Sequence, residues 1–292
     1  MFDTLFHVYH SHYRKFLVMT VLLFAASLAF LGVNYAQAGE FASRGVSLKG
    51  GITLTVPLEA PVNLDVLDQG LAAALPTSDI EVRGISERGQ VRAIIVEASD
   101  VDESALVQAV RAQGVPVSEG KYSIEVMGSD LGQNFYRQTL WALVFAFVSM
   151  SIVVYLTFRA PLPSAFVILA TVSDLVSTLA VVSIVGMKLS TAGIAAFLMM
   201  IGYSVDNNIL LTVRALKRKE GSLNEGIEEA LRTGLLMTAT ALIAVAVGYF
   251  FTDSDVIKQI MFILLIGLLF DLIYTWFQNA AILRLYMEAK VP

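Results

Sequence analysis

The stretch Ile201–Lys219, IGYSVDNNILLTVRALKRK, decides the reading of this chain. It starts inside a long apolar run and ends in a basic cluster. Between them stand Asp206, Asn207 and Asn208, three polar side chains where a membrane helix would otherwise be greasy. Working outward, the whole chain has the same character. Of 292 residues, 56% are hydrophobic and only 15% are charged, against about a quarter charged in soluble domains. Composition therefore places the chain in a bilayer. There is no cysteine, which excludes a disulfide framework and any thiolate metal site.

Six apolar runs reach the roughly 20 residues a membrane span needs, near 16–36, 138–158, 164–187, 190–213, 231–252 and 259–284. The first has a basic flank (Arg14, Lys15), and AQA at Ala36–Ala38 is like a cleavage site. Its apolar core is longer than a signal h-region, so an uncleaved anchor helix is expected. Residues 1–15 then form a short segment before it. Arg14, Lys15, Arg159, Arg214, Lys217, Arg218, Lys219, Arg284 and Lys290 all fall on one side of a six-span arrangement, and the other side's short loops hold only Lys188 and Lys258. The positive-inside rule puts that first side, with both termini, in the cytoplasm.

Residues 39–133 are the one substantial block between spans, and on this topology they face outward. They hold 14 Asp/Glu against 7 Lys/Arg, an acidic balance that argues against nucleic-acid binding. ITLTVPL (Ile52–Leu58) alternates like a strand. LDVLDQGLAAAL (Leu64–Leu75) has helical spacing, with Asn63 as N-cap. IEVRGIS and QVRAIIVEA read as strands joined through Glu87–Gly89. DESALVQAVRAQG (Asp102–Gly114) reads as a helix stopped by Gly114, and YSIEVMG (Tyr122–Gly128) as a last strand. The order β-α-β-β-α-β is that of a ferredoxin-like α+β fold. The expected fold class is thus a polytopic α-helical membrane protein with six transmembrane helices, plus an external ferredoxin-like domain between helices 1 and 2. The outer block has no histidine, and its carboxylates read as scattered over a solvent face, which suits binding a polypeptide rather than chemistry.

An ionisable group at bilayer depth costs roughly 2.5–3.5 kcal/mol on insertion scales and faces the bundle or a wet cavity. Asp174 lies about 15 Å into its span, with Thr171, Ser177 and Thr178 on its face. Asp206 lies about 12 Å from the cytoplasmic end of the fourth span. Asp271 is near mid-depth in the sixth, with Thr275 and Gln278 continuing its face. Helix–helix adhesion explains Asn207, Asn208 and Thr178 as readily as function does. For the three acids, reversible protonation is the favoured reading. Arg232, at the mouth of the fifth span, is a counter-charge candidate reaching toward Asp206, or it snorkels to headgroups. His7, His10 and His12 read as a solvated tail, with no ligand set to complete a metal site. No cofactor is expected, and no nucleotide loop, HExxH or Ser-His-Asp set points to an enzyme.

Taken together, three stretches resemble the SecF family of protein-export membrane subunits, within the RND superfamily. GVSLKGGITL (Gly45–Leu54), with Gly50 and Gly51, is similar to the family's glycine-rich start of the outer domain. IGYSVDNNILLTVRALKRKEG, with Gly202, resembles its fourth-span signature, and ALRTGLLMTATAL (Ala230–Leu242) its fifth-span start. The resemblance implies SecD as partner, contact with the SecYE translocon and with translocating preprotein, and coupling to the proton gradient. It places Arg232 on the family's Arg-Thr pair and Asp174 on an acidic position common in the third span, and it leaves Asp206 either the proton carrier or only similar to it. Bacterial members place Asn before Asp, whereas here Asp206 precedes Asn207, about 100° away around the helix and like the archaeal branch. A non-energised scaffold subunit and half of a small-molecule RND exporter are the competing functions.

Overall fold

The computed structural model describes residues 2–58, 62–87, 90–117, 122–216, 223–252 and 254–290. The tip of the expected hairpin and the Lys217–Lys219 cluster lie outside the described residues, as do the side chains of His7 and His10. Six helices among the described residues are long and apolar enough to cross a membrane. They are α1 (Phe2–Ala38), α5 (Ser129–Phe158), α6 (Pro161–Ile184), α7 (Thr191–Leu216), α8 (Leu223–Phe251) and a sixth that begins as α9 (Asp255–Ile273). That last span is not the uninterrupted helix the apolar run suggested. It widens into a π-helical turn, Tyr274–Asn279, before α10 (Ala280–Lys290). α1 extends before the apolar run, with no proline or glycine ahead of Gly32 to stop it.

Between α1 and α5 the chain forms α2 (Val46–Lys49), β1 (Gly51–Pro57), α3 (Leu64–Ala74), β2 (Ile80–Glu87), β3 (Gln90–Ala98), α4 (Glu103–Ala112) and β4 (Ser123–Met127). The four strands make one antiparallel sheet in the order β2-β3-β1-β4. Alternation fixes the register: buried Ile52, Leu54 and Val56 stand opposite buried Ala98, Val96 and Ile94. A one-residue slip of either strand would turn its three to the polar face. Leu67 and Leu71 of α3 and Leu106 and Val110 of α4 close this core. Asn63 caps α3, its Oδ1 accepting from the backbone N–H of Asp65 and Val66. Gly114, at φ +82°, follows α4 in the left-handed region.

Gly50 and Gly51 join α2 to β1 at φ +87° and +144°. A Cβ on Gly50 would come within 2.6 Å of the Ser129 Cα, so the start of α5 packs against bare backbone here.

The sheet's other face does not simply meet solvent. Asp79, Glu81 and Glu97 were expected to be scattered over a solvent surface; they gather instead around Lys49, Arg83 and Lys188. The reason is tertiary: Lys188 comes from the loop between α6 and α7, which docks beneath the sheet. Leu189 N–H donates to the Ser43 carbonyl at 2.7 Å, and Gly45 N–H donates to the Leu189 carbonyl at 2.8 Å. Gln259 of α9 holds the same loop through the Lys188 carbonyl at 2.6 Å.

Candidate functional site: a polar belt inside the helix bundle

α7 is packed by α5, α6, α8 and α9. Its inward face is layered. One apolar cluster joins Phe197 and Met200 to Val182, Ile263 and Leu268, and a second joins Leu211 and Ala215 to Trp276, Ala280 and Leu283. Between them α7 presents Ser204, Asn207 and Asn208. α6 adds Thr171, Ser173, Asp174, Ser177 and Thr178, and the last span adds Asp271, Tyr274, Thr275, Gln278 and Asn279. All of these are buried. A polar belt is thus sealed between two dry layers.

The belt is cross-linked. Asn207 Nδ2 donates to Asp271 Oδ2 at 2.5 Å and to Thr238 Oγ1 of α8 at 3.0 Å. Thr275 donates to Asp271 Oδ1 at 3.0 Å. Asn279 Nδ2 donates to Asn208 Oδ1 at 2.7 Å, while Asn208 donates to the Ser204 carbonyl. Gln278 Nε2 reaches Ser173 Oγ at 3.1 Å. Ser177 shares a 2.6 Å contact with the Tyr274 hydroxyl and accepts from Ser27 of α1. Neither oxygen of Asp174 has a hydrogen-bond partner among the described residues.

The structure therefore brings Asp174, Asp271, Asn207 and Asn208 together and leaves Asp206 apart. Asp206 is exposed on the flank of α7 formed with Met199, Gly202 and Tyr203, about one-quarter turn from Asn207. Arg232 has two sequence readings, reaching toward Asp206 or snorkelling to headgroups. Among the described residues it pairs with Glu228, donating to Oε1 at 2.7 Å one helical turn back on the exposed side of α8. Such an i,i+4 pairing is the nearest acceptor a helix surface offers. Gly202 has open space around its Cα, so nothing inside this chain requires a glycine there. Sequence reasoning missed Ser204, Thr238, Ser27, Tyr274 and Asn279 as belt members. For Asn279 the signal was present, an amide in an apolar run directly after Gln278.

At the junction beneath the sheet, electrostatics are mixed. Burial pushes the Asp79 carboxyl up, but Lys188 at 2.7 Å and Lys49 at 3.2 Å outweigh it and hold it below its ordinary value. Glu97 goes the other way: burial raises it, Arg83 at 2.8 Å opposes that, and neighbouring Glu81 adds to the rise.

Among the described residues no group of three or more His, Cys, Asp or Glu side chains is arranged to hold a metal ion. Residues 108–289 match the family described as protein export membrane protein SecD/SecF, C-terminal. The protein-export membrane protein SecF of Pyrococcus furiosus is 36% identical over 282 residues, covering 95% of this chain and 92% of the relative. That of Methanothermobacter thermautotrophicus is 38% identical, covering 85% of each. The crystal structure of SecDF, a translocon-associated membrane protein from Thermus thermophilus, superposes with a TM-score of 0.73 at 18% identity. It covers 95% of this chain, which spans 38% of that longer one, and it establishes likeness of fold. Matched over nearly its whole length by SecF relatives, this chain belongs to the SecF family of protein-export membrane proteins.

Proposed function

We propose that the chain works as one half of an export auxiliary. A SecD-type bundle covers its α7–α8 flank, and the pair promotes movement of preproteins delivered by the SecYE translocon across the cytoplasmic membrane. In this reading both termini are cytoplasmic. Residues 39–133 form an external ferredoxin-like domain that contacts the emerging polypeptide, and the proton gradient supplies the energy. The observation that carries the reading is the exposure of Asp206 at membrane depth. A carboxylate facing acyl chains is costly, so the flank it shares with Gly202 calls for a protein partner or a wet path between two bundles. A glycine with no intrachain reason to be one allows a second helix to come close. The exposure of Asp206 on the face turned away from the inner belt supports a role for it at that boundary.

The test is secretion of a reporter in cells carrying Asp206→Asn at matched membrane abundance, with and without an uncoupler. The amide is nearly isosteric and cheaper in lipid, so insertion is expected to be normal while export falls sharply. The competing reading, a scaffold that holds the translocon without using energy, predicts near-parental export and unchanged uncoupler sensitivity. Co-purification with a SecD-type subunit from detergent tests the partner. Reporter fusions at residue 100 and in the 217–222 segment test the topology and should report opposite sides.

A further inference from the structure

At the end of the bundle that carries the sheet, a groove of about 200 Å³ opens between α5, α6, α7 and the chain that follows α1. Its lining is graded from one end to the other. Arg44 and Tyr136 stand at the end nearest the sheet, and they alone carry polar side-chain atoms among the described residues that line it. Tyr136, Leu140 and Leu143 share one face of α5 and run about 10 Å along it into the bundle. Leu175 and Leu179 of α6 and Phe197 of α7 complete the apolar wall. Sites that enclose a drug-sized molecule measure roughly 300–1,000 Å³, so this groove suits one apolar chain rather than a whole ligand. The polar end is not self-sufficient. Arg44 Nη2 donates to Glu40, and the guanidinium lies over the Tyr136 ring, 4.8 Å from its centroid. Arg44 Nε is buried and has no acceptor among the described residues. A water or a free anion would serve that donor but leave the wall below bare. An apolar side chain of another helix would cover the wall but bring no acceptor. An amphiphile with a phosphate head does both, since guanidinium and phosphate match in charge and geometry.

We propose that this groove is a site for one membrane phospholipid, with an acyl chain along Leu140, Leu143, Leu179 and Phe197 and a phosphate oxygen on Arg44 Nε. The lipid braces the start of the sheet region against α5, α6 and α7. The site does not depend on the export reading; it rests only on the chain's place in a bilayer.

The experiment uses the full chain in detergent, washed free of lipid and titrated with dioleoylphosphatidylglycerol, dioleoylglycerol or glycerol phosphate. Bound molecules are counted by native mass spectrometry, and thermal unfolding is followed beside it. The expected result is about one phosphatidylglycerol held per chain, with a saturable rise in the unfolding midpoint. Dioleoylglycerol, which lacks the phosphate, should bind about tenfold more weakly, and glycerol phosphate should do neither. Arg44→Gln should weaken phosphatidylglycerol about tenfold and leave dioleoylglycerol unchanged. Its fold is expected to persist, because the backbone on both sides of Arg44 is held by Leu189. Leu143→Trp, which fills the deep end and spares Arg44, should abolish retention of both lipids, and it stands as the test if Arg44→Gln does not fold. Equal phosphatidylglycerol binding by the parent and both variants would overturn the proposal. So would no retained lipid at all, which would leave the groove to detergent, or a midpoint rise with glycerol phosphate alone, which would make Arg44 a free-anion site. Loss of the bound lipid on co-purification with a SecD-type subunit would also overturn it, by giving the groove to a helix of that partner.

Discussion

Asn207 is the residue on which the belt turns, because its one amide joins α7 to both α8 and α9. Replacing it with leucine takes a donor from a buried carboxyl, and lost hydrogen bonds to charged groups cost about 1.5–3 kcal/mol. Asn207→Leu should therefore lower thermal stability in detergent by about 2 kcal/mol. Thr238→Val removes only one acceptor from the same amide and should cost less than half as much. A Thr238→Val variant as damaged as Asn207→Leu would show that the α8 contact dominates. Gly50 is the corresponding point in the sheet region. Alanine there meets both a left-handed backbone and the Ser129 Cα, so Gly50→Ala should cost about 1–3 kcal/mol. Gly202→Ala, with open space around it, should leave the isolated chain unchanged and weaken only its association with a partner bundle, as read by co-purification.

Among the elements, the last span has the most distinctive construction. A regular helix would carry Asp271, Thr275 and Gln278 inward; in the π-turn from Tyr274 to Asn279, Tyr274 and Asn279 are buried beside them. π-turns inside α-helices frequently mark functional sites, and here the widened segment supplies three cross-helix hydrogen bonds, two to α6 and one to α7. Asn279→Leu would leave Asn208 Oδ1 buried without its donor, at about 1–3 kcal/mol. Asn279→Asp would keep an oxygen where a donor is needed and should be no better. Thermal unfolding of the two variants checks this, and full stability of Asn279→Leu would show the amide pair to be dispensable. The polar spacing of this span was legible in advance, since Asp271, Thr275 and Gln278 fall on one face. The widened turn was not, because an extra residue in one turn leaves the composition and apolar periodicity of a span nearly unchanged.

Across the whole molecule, the α6–α7 loop ties the membrane bundle to the sheet through Lys188 and two backbone hydrogen bonds. Its pH response follows from two carboxyls shifted in opposite directions. Asp79 is held low, so its contribution is present above its ordinary value of 3.8 and lost as pH falls through its lower folded-state value. Glu97 is held high, so its ionised form opposes folding above its folded-state value, and the opposition is gone below its ordinary 4.5. Acidification from neutrality toward pH 4.5 should therefore tighten docking in the parent more than in Glu97→Gln. Further acidification below pH 3.8 should loosen it more in the parent than in Asp79→Asn. Because the chain has no cysteine, spin labels at introduced Asp65→Cys and Thr252→Cys can report the sheet-to-bundle distance. Lys188→Met should broaden that distance distribution at neutral pH, and an unchanged distribution would assign docking to the backbone contacts alone.

The sequence by itself determined what one-dimensional pattern controls. Run length marked six spans, and period-2 and helical spacing marked the strands and helices of the 39–133 block. The motifs around Gly50, Asp206 and Arg232 pointed to the SecF family. It also marked Asp174, Asp206 and Asp271 as acids at membrane depth. Only the tertiary structure decided which of them meet. Neighbours on a helix lie about 100° apart, so Asp206 and Asn207 part company at the point where α7 packs. Arg232 has Glu228 one turn away and takes it before any more distant acid. Lys188 reads as a topology signal in a short loop, and only the docking of that loop beneath the sheet makes it the partner of Asp79. Contacts between residues distant in the chain depend on how helices are rotated and stacked, and that rotation is set by the packing of whole faces rather than by any local stretch.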